Sequence, residues 1–263
     1  MTFPTTILLG AIAGFTIYLG LPIARLKNPS RNWQAFLNAL ATGILVFLLW
    51  DVLTKATEPI DAALDVARTG HPASLLLLLV LFVGGLGVGL LSLVYVERQL
   101  IRPAAEAARV QDASPRQLAL TIAMGIGLHN FSEGLAIGQA SRAGAISLAT
   151  ILIIGFGLHN ATEGFGIAAP LTAGGRPSWG FLALVGLIGG GPTFLGTLVG
   201  YGVQSEPVFV LCLALAAGSI FFVIIELLYV GRRFQLRELV MWGIFVGFLA
   251  GYFTDLLLTW GGA

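Results

Sequence analysis

Eight long runs of apolar residues follow one another along the chain, separated by short segments that hold most of the charged residues and several prolines. A helix that crosses a bilayer needs about 20 mainly apolar residues, and each run has roughly this length. In lipid a helix satisfies its own backbone hydrogen bonds, whereas an isolated strand cannot. The pattern therefore predicts eight membrane-spanning helices, near 4–24, 34–53, 74–96, 117–140, 145–170, 178–202, 207–230 and 238–260.

The composition agrees with a protein that has lipid as its solvent. Of the 263 residues, 57% are hydrophobic and only 10% are charged, and the mean hydropathy is +0.91. A soluble domain carries about 25% charged residues. The first apolar run has no basic segment before it and is too long for a cleavable signal, so we expect it to be a span. The sequence predicts one all-α integral membrane domain, 1–263, multi-pass in an inner or plasma membrane.

Lysine and arginine are distributed unevenly between the two predicted sides of the membrane. Eleven of the 14 lie in the connections between spans 1 and 2, 3 and 4, 5 and 6, and 7 and 8. Only Lys55, Arg68 and Arg142 lie on the opposite side. Because cytoplasmic loops are enriched in basic residues, both termini are expected outside. The net charge is only +1 and there is no basic stripe, so nucleic acid is not an expected partner.

Two segments that are 30 residues apart share the pattern His-Asn-x-x-Glu-Gly. The first, GIGLHNFSEGLAIG, covers 125–138, and the second, GFGLHNATEGFGIA, covers 155–168. They lie on spans 4 and 5, which must run antiparallel because only a short turn around Arg142 joins them. Both histidines then lie near the middle of the bilayer. Repeats of opposite orientation with a site between them are the usual plan of a secondary transporter.

The spacing within each motif places its polar side chains on one helix face, because residues three and four apart are neighbours on a helix. Two such helices present two imidazoles and two carboxylates, which suit zinc, iron and other first-row divalent ions. A carboxylate at mid-membrane costs roughly 3 kcal/mol or more, and a divalent ion offsets that cost. The alternative interpretation is hydrogen bonding between helices. The candidate metal ligands are His129, Asn130, Glu133, His159, Asn160 and Glu163.

The HNFSEG and HNATEG motifs, on the fourth and fifth of eight spans with both ends outside, resemble the ZIP (Zrt/Irt-like protein) metal transporters of bacterial or archaeal type. The resemblance covers the whole chain in topology, but its specific part is spans 4 to 6. It implies uptake into the cytoplasm of zinc first, with iron, manganese or cadmium as alternatives. The ion is cargo, and no prosthetic group is expected. The implied fold is an inverted 3+2+3 arrangement in which spans 1, 4, 5 and 6 move against the others.

The resemblance also implies two neighbouring metal sites. The glutamates would bridge a first site that includes both histidines and a second that includes Asn130 and Asn160. Two features depart from the family pattern. Ser132 and Thr162 stand where a proline is common, so less helix distortion is expected. Gly191, in GGGPTFLG (189–196), stands where a glutamate often precedes the proline, so we predict one well-formed site and a weak or absent second.

Three acidic residues outside the motifs are candidates for the path of the ion. Glu226, towards the inner end of span 7, either lies on the release path, as the resemblance implies, or pairs with a neighbour such as Arg232. Asp51 and Asp255, at the outer ends of spans 2 and 8, either line the entrance or are simply solvated at the interface. A glycine-rich stretch of span 3 predicts a packing surface, with a homodimer among its uses: Gly84, Gly85, Gly87 and Gly89.

Two other classes of function stay open beside transport. One is a membrane-embedded metal-dependent enzyme, in which the ion activates a water. Such a site adds a separate acid or base, and no third cluster is apparent. A di-iron bundle needs Glu-x-x-His pairs on its helices, whereas this chain has His-x-x-x-Glu on two helices. The Gly-x-Ser-x-Gly elbow of a serine hydrolase is also missing. We therefore expect no enzymatic activity. The other class is a metal receptor without transport.

Overall fold

A computed structural model of the chain describes residues 1–26, 29–96, 98–99, 114–172 and 175–260. Within these residues every regular element is helical, which confirms the all-α prediction. Three of the eleven basic residues assigned to one side of the membrane, Lys27, Arg102 and Arg109, lie outside the described residues.

The described part of the chain forms eight helical segments, numbered here in chain order. The first, α1, spans Phe3–Arg25 and consists of α-helix over Phe3–Phe15 and Ile17–Gly20 and a 3-10 turn over Leu21–Arg25. The others are α2 (Arg31–Ala67), α3 (Ala73–Val96), α4 (Pro115–Arg142), α5 (Ile146–Leu171), α6 (Trp179–Gly202), α7 (Glu206–Arg233) and α8 (Arg237–Trp260).

Six of these segments are long and apolar enough to cross a membrane, so the chain is a multi-pass membrane protein. They are α1, α2, α3, α6, α7 and, over Arg237–Leu256, α8. The helices α4 and α5, with 28 and 26 residues, are also long enough, but their described residues do not reach the same apolarity. Each of these two helices carries one copy of the polar motif. This motif lowers the apolarity of the helix that carries it.

The two motif helices lie inside the bundle. The helix α4 packs against α1, α5, α6 and α7, and α5 packs against α1, α2, α4 and α8. Outside them, α2 packs along α8 and α7, and α3 packs along α7. The interfaces are related by an exchange of helices in which α1, α2 and α3 correspond to α6, α7 and α8, and α4 corresponds to α5. This exchange maps the α4–α6 interface onto the α5–α1 interface. It also maps the α2–α8 interface onto the α7–α3 interface. The main interfaces thus occur in matched pairs.

The helix α2 is longer than its apolar run. The sequence predicts a span that ends at 53, but the helix continues through Pro59 to Ala67. The additional turns are held by packing, since Ile60 and Ala63 are buried against α3 and α7. With 37 residues at about 1.5 Å each, the helix is longer than a bilayer is thick. The predicted end was wrong because apolarity marks the part of a helix that faces lipid or core, and not where the helix ends.

The glycines of α3 divide into two faces. A Cβ atom on Gly85 or Gly89 would collide with α7, at Ala214 and at the backbone of Leu215. A Cβ on Gly84 or Gly87 would meet nothing within 4 Å. The predicted packing surface is confirmed for the first pair and lies within the chain, whereas the homodimer stays a prediction.

Candidate metal centre

A tight turn fixes the antiparallel arrangement of α4 and α5. Gly144 has a φ of 78°, a left-handed conformation that other residues rarely adopt. This allows the amides of Gly144 and Ala145 to bond to the carbonyl oxygens of Ser141 and Ala140, at 3.2 and 3.0 Å. These two bonds form a Schellman motif, which ends a helix and satisfies its last carbonyls. The next helix begins at Ile146, so the two motifs are brought back alongside each other.

The last residue of each motif is a glycine at a close helix crossing. A Cβ on Gly134 would collide with the carbonyl oxygen of Thr193 on α6. A Cβ on Gly164 would collide with the carbonyl oxygen of Ile17 on α1. Small residues at such positions let two membrane helices approach closely. The two motifs are therefore fixed in equivalent ways, one against α6 and the other against α1.

Both helices run unbroken through the motifs, as the absence of proline predicts. The hydroxyl of Ser132 donates to the carbonyl oxygen of His129 at 2.9 Å, and that of Thr162 donates to the carbonyl oxygen of His159 at 2.7 Å. These hydroxyls are thus satisfied within their own helices. The side chains of the histidines and glutamates are left to interact across the helix interface.

All six candidate ligands are buried, and the most exposed of them, His159, shows only 6% of its surface. His129 Nε2 and Glu163 Oε1 lie 2.6 Å apart and join the two helices. The amide nitrogen of Asn130 donates to Glu163 Oε2 at 3.1 Å, to the carbonyl oxygen of Gly189 at 2.9 Å, and to Asn160 Oδ1. Both oxygens of Glu163 therefore have partners from α4.

The other half of the site is much less satisfied. The amide of Asn160 donates to the Phe156 carbonyl oxygen at 2.8 Å, but reaches Glu133 Oε2 only at 3.5 Å.

Seven buried side-chain polar atoms have no hydrogen-bond partner in the described residues, and five of them belong to the candidate ligands. Buried polar groups are normally paired, so this concentration needs a cause. The five atoms are His129 Nδ1, Asn130 Oδ1, Glu133 Oε1, His159 Nδ1 and His159 Nε2.

These unpaired atoms are imidazole nitrogens and carboxylate or amide oxygens, the donor set that first-row divalent ions use. In the described part of the chain, however, no three His, Cys, Asp or Glu side chains are grouped closely enough to hold one ion. Two of the candidate ligands, His129 and Glu163, instead contact each other directly. The residue types are those that a divalent ion would use.

A cavity of about 350 Å³ leads to this site from the end of the bundle where α4 turns into α5. His129, Ser132 and Glu133 lie on its wall. The opposite wall comes from α2 and α7, and the rim comes from the α4–α5 turn and Gln204. A second, larger cleft of about 930 Å³ lies at the other end of the same helices, where its wall includes Arg31 and Arg176.

The structure brings Asp51 to the site and leaves Glu226 away from it. Asp51 lines the smaller cavity with His129 and Glu133. Asp255 is half-buried on α8 and lies within electrostatic range of Asp51 and His159.

Glu226 is half-buried near the opposite end of α7, one residue before Leu227, whose carbonyl oxygen accepts a hydrogen bond from Asn38. Its place on a release path stays a prediction.

Sequence reasoning missed three contacts because each arises from helices that carry no motif. Lys55 lines the smaller cavity and pairs with Asp51. The Phe47 ring packs 6.5 Å from the His159 ring at an interplanar angle of 65°. From α6, the carbonyl oxygen of Gly189 accepts a hydrogen bond from the Asn130 side chain. Among the described residues, a Cβ on Gly191 would meet the Leu187 side chain of the same helix and no atom of α4 or α5 within 4 Å.

No protein-family model matches the chain, and no curated protein matches it with significance. The motifs, the burial of their side chains and the cavity that leads to them are therefore the grounds on which a function is proposed.

Proposed function

We propose that the chain is a divalent metal transporter of the ZIP type that carries zinc, or else iron, manganese or cadmium, into the cytoplasm. The observation that carries this proposal is the cluster of unpaired ligand atoms on the buried faces of α4 and α5. Leaving one buried polar group without a partner costs about 1–3 kcal/mol. A divalent ion would satisfy several of these groups at once and would neutralise Glu133 and Glu163.

The route to the site supports carriage rather than storage. The site adjoins one cavity, and a separate cleft lies at the other end of the same helices. A carrier needs this arrangement, because its site must communicate with each side in turn. In this proposal α4 and α5 cross the membrane with the other six segments, both termini lie outside, and the Asp51 side of the bundle is the outer one.

The distribution of close glycine contacts supports a motion of α1, α4, α5 and α6 as one body. Glycines at which a Cβ would collide with another helix's backbone join α1 to α6, α4 to α6 and α5 to α1. Others join α2 to α8 and α3 to α7. Where α4 meets α7, the glycine contact is instead between Gly125 and the Val223 side chain. The two groups are each tightly interlocked and could slide past one another.

The test is zinc influx into liposomes that contain purified protein and an internal zinc dye. The wild type is expected to show saturable influx. Glu163→Ala should abolish it, because this change removes a buried carboxylate that α4 contacts through two residues. Glu238→Ala, which removes an exposed carboxylate from the start of α8, is the matched control and should transport normally.

The same assay separates transport from the two other classes of function. A metal receptor or a metal-dependent enzyme would bind zinc without moving it, so the internal dye would stay dark although equilibrium dialysis detects bound metal. If zinc neither bound to the protein nor crossed the liposome membrane, both the proposed metal site and the proposed transport would be overturned.

A further inference from the structure

Lys55 places a positive charge in the cavity that leads to the candidate metal site. Its Nζ atom lies 2.6 Å from Asp51 Oδ2, one turn earlier on α2. The Asp51 side chain is only 14% exposed and that of Lys55 is 37% exposed. This pair is therefore more sheltered than the ion pair at the C-terminal end of α2, Asp65 with Arg68, whose side chains are 76% and 71% exposed.

The pair faces the metal ligands. Asp51 and Lys55 line the same cavity of about 350 Å³ as His129 and Glu133. Both also lie within electrostatic range of Glu133 and of His159. Low-dielectric walls strengthen interactions between charges in a cleft of this kind. An ion that reaches Glu133 through this cavity enters a space whose wall also carries Lys55.

We propose that Lys55 is a resident cation that competes with the arriving metal ion and thereby sets the apparent metal affinity. The ammonium group neutralises Asp51, which is then unavailable as a ligand in the entrance. A divalent ion brings two charges to Asp51 and Glu133, so it can replace the single charge of Lys55. The replaced lysine side chain is long enough to move towards the rim. This inference rests on the proposed transport function and concerns the regulation of that same site.

The proposal predicts opposite effects for the two partners of one ion pair. Lys55→Met or Lys55→Gln removes the competitor and frees Asp51, so zinc should bind about three- to tenfold more tightly, the effect expected of one partly screened charge. Asp51→Asn leaves the lysine charge uncompensated, so zinc should bind more weakly by a similar factor. The double variant Asp51→Asn with Lys55→Met should lie between them. A pair that only stabilises the helix would not give changes of opposite sign.

The experiment measures zinc binding to the purified full chain by titration calorimetry and zinc influx in liposomes. Lys55→Arg keeps the charge and should resemble the wild type. Arg68→Met is the matched control, because it removes one positive charge from the residue that follows α2, outside the cavity, and should leave the zinc affinity unchanged. The melting temperature of each variant verifies that it is folded, and two neutral replacements of Lys55 guard against one that does not fold.

Each outcome decides between the two proposals. Tighter zinc binding in the neutral Lys55 variants, with weaker binding in Asp51→Asn, supports the resident cation. Wild-type influx with unchanged affinity in every folded Lys55 variant overturns the resident cation and leaves the transport function standing. Absence of both binding and influx in the wild type and in the variants overturns the transport function and this inference with it.

Discussion

At the scale of single residues, two equal motifs give an unequal site. His129 and Glu163 pair directly across the interface, whereas both ring nitrogens of His159 and one oxygen of Glu133 have no partner. The sequence contains no sign of this difference, because HNFSEG and HNATEG carry the same ligands at the same spacing. The paired half keeps one buried carboxylate satisfied without metal. In the proposed function, the unpaired atoms of His159 and Glu133 would be the first to receive an ion.

This asymmetry predicts that zinc stabilises the fold through His159. Ligand that binds only the folded state adds about 2.7 kcal/mol of stability at a concentration 100 times its Kd. Zinc should therefore raise the melting temperature of the wild type. His159→Ala should lose most of this increase, because both ring nitrogens of His159 are unpaired. His71→Ala, which removes an exposed histidine, should retain it. An equal increase in all three proteins would exclude His159 as a ligand.

A second prediction at this scale concerns pH. Metal ligands must be deprotonated to bind, so protons compete with the ion for the histidines and glutamates. A fall from about pH 8 to about pH 5 crosses the range in which imidazole ordinarily takes up a proton. Zinc affinity measured by titration calorimetry should therefore decrease as the pH falls. An affinity that is constant over this range would count against imidazole ligands.

The number of bound ions follows from α6. The hydrogen bond between this helix and a candidate ligand is accepted by a carbonyl oxygen, that of Gly189, and the stretch 189–196 contains no acidic residue. A second divalent ion would lack the additional carboxylate that balances its charge. We predict one zinc ion per chain after dialysis, measured by metal analysis. A stable ratio of two would show that Asn130 and Asn160 complete a second site without help from α6.

At the scale of helices, the motif glycines determine how closely the ligand-bearing helices approach their neighbours. Gly134→Ala and Gly164→Ala would each place a methyl group against a backbone carbonyl, of Thr193 and of Ile17 respectively. Overpacking of this kind typically costs about 1–3 kcal/mol. Both variants should melt at lower temperature and lose zinc influx together.

The control for this prediction is a glycine on an open helix face. Gly87→Ala on α3 adds a methyl group that meets nothing within 4 Å, so its melting temperature should not fall. Since alanine favours helix more than glycine by about 0.5–1 kcal/mol, a small increase is also consistent. Equal losses in Gly87→Ala and Gly134→Ala would mean that the effect does not come from helix contact.

The helices themselves could largely be predicted from apolarity, but their ends and contacts could not. The predicted run 117–140 and the observed helix Pro115–Arg142 differ by two residues at each end. The part of α2 beyond 53 was missed, because its polar turns depend on burial of Ile60 and Ala63 against other helices. The roles of Lys55 and of the Gly189 carbonyl depend in the same way on how α2 and α6 pack. Sequence spacing along one helix carries no information about a neighbour's position.

At the scale of the whole molecule, polarity is concentrated where lipid is absent. The helices α4 and α5 carry the buried histidines and glutamates and are enclosed by α1, α2, α6, α7 and α8. The outer helices supply the apolar surface, as in α3 and α8, which are the least buried of the six apolar segments. Apolarity alone therefore identifies six crossings, and the crossing of the two interior helices has to be tested directly.

Cysteine labelling can count the crossings, because Cys212 is the single cysteine of the chain. In a Cys212→Ala background, Leu26→Cys and Thr69→Cys introduce thiols at exposed positions in the connections that precede and follow α2. Ala143→Cys introduces one at the exposed turn between α4 and α5. With eight crossings and both termini outside, a membrane-impermeant thiol reagent should label the cysteines at 69 and 143 in intact cells. It should label the cysteine at 26 only after permeabilisation. If α4 and α5 did not cross, the cysteine at 143 would be protected like that at 26, and the candidate ligands would not lie on a path between the two sides.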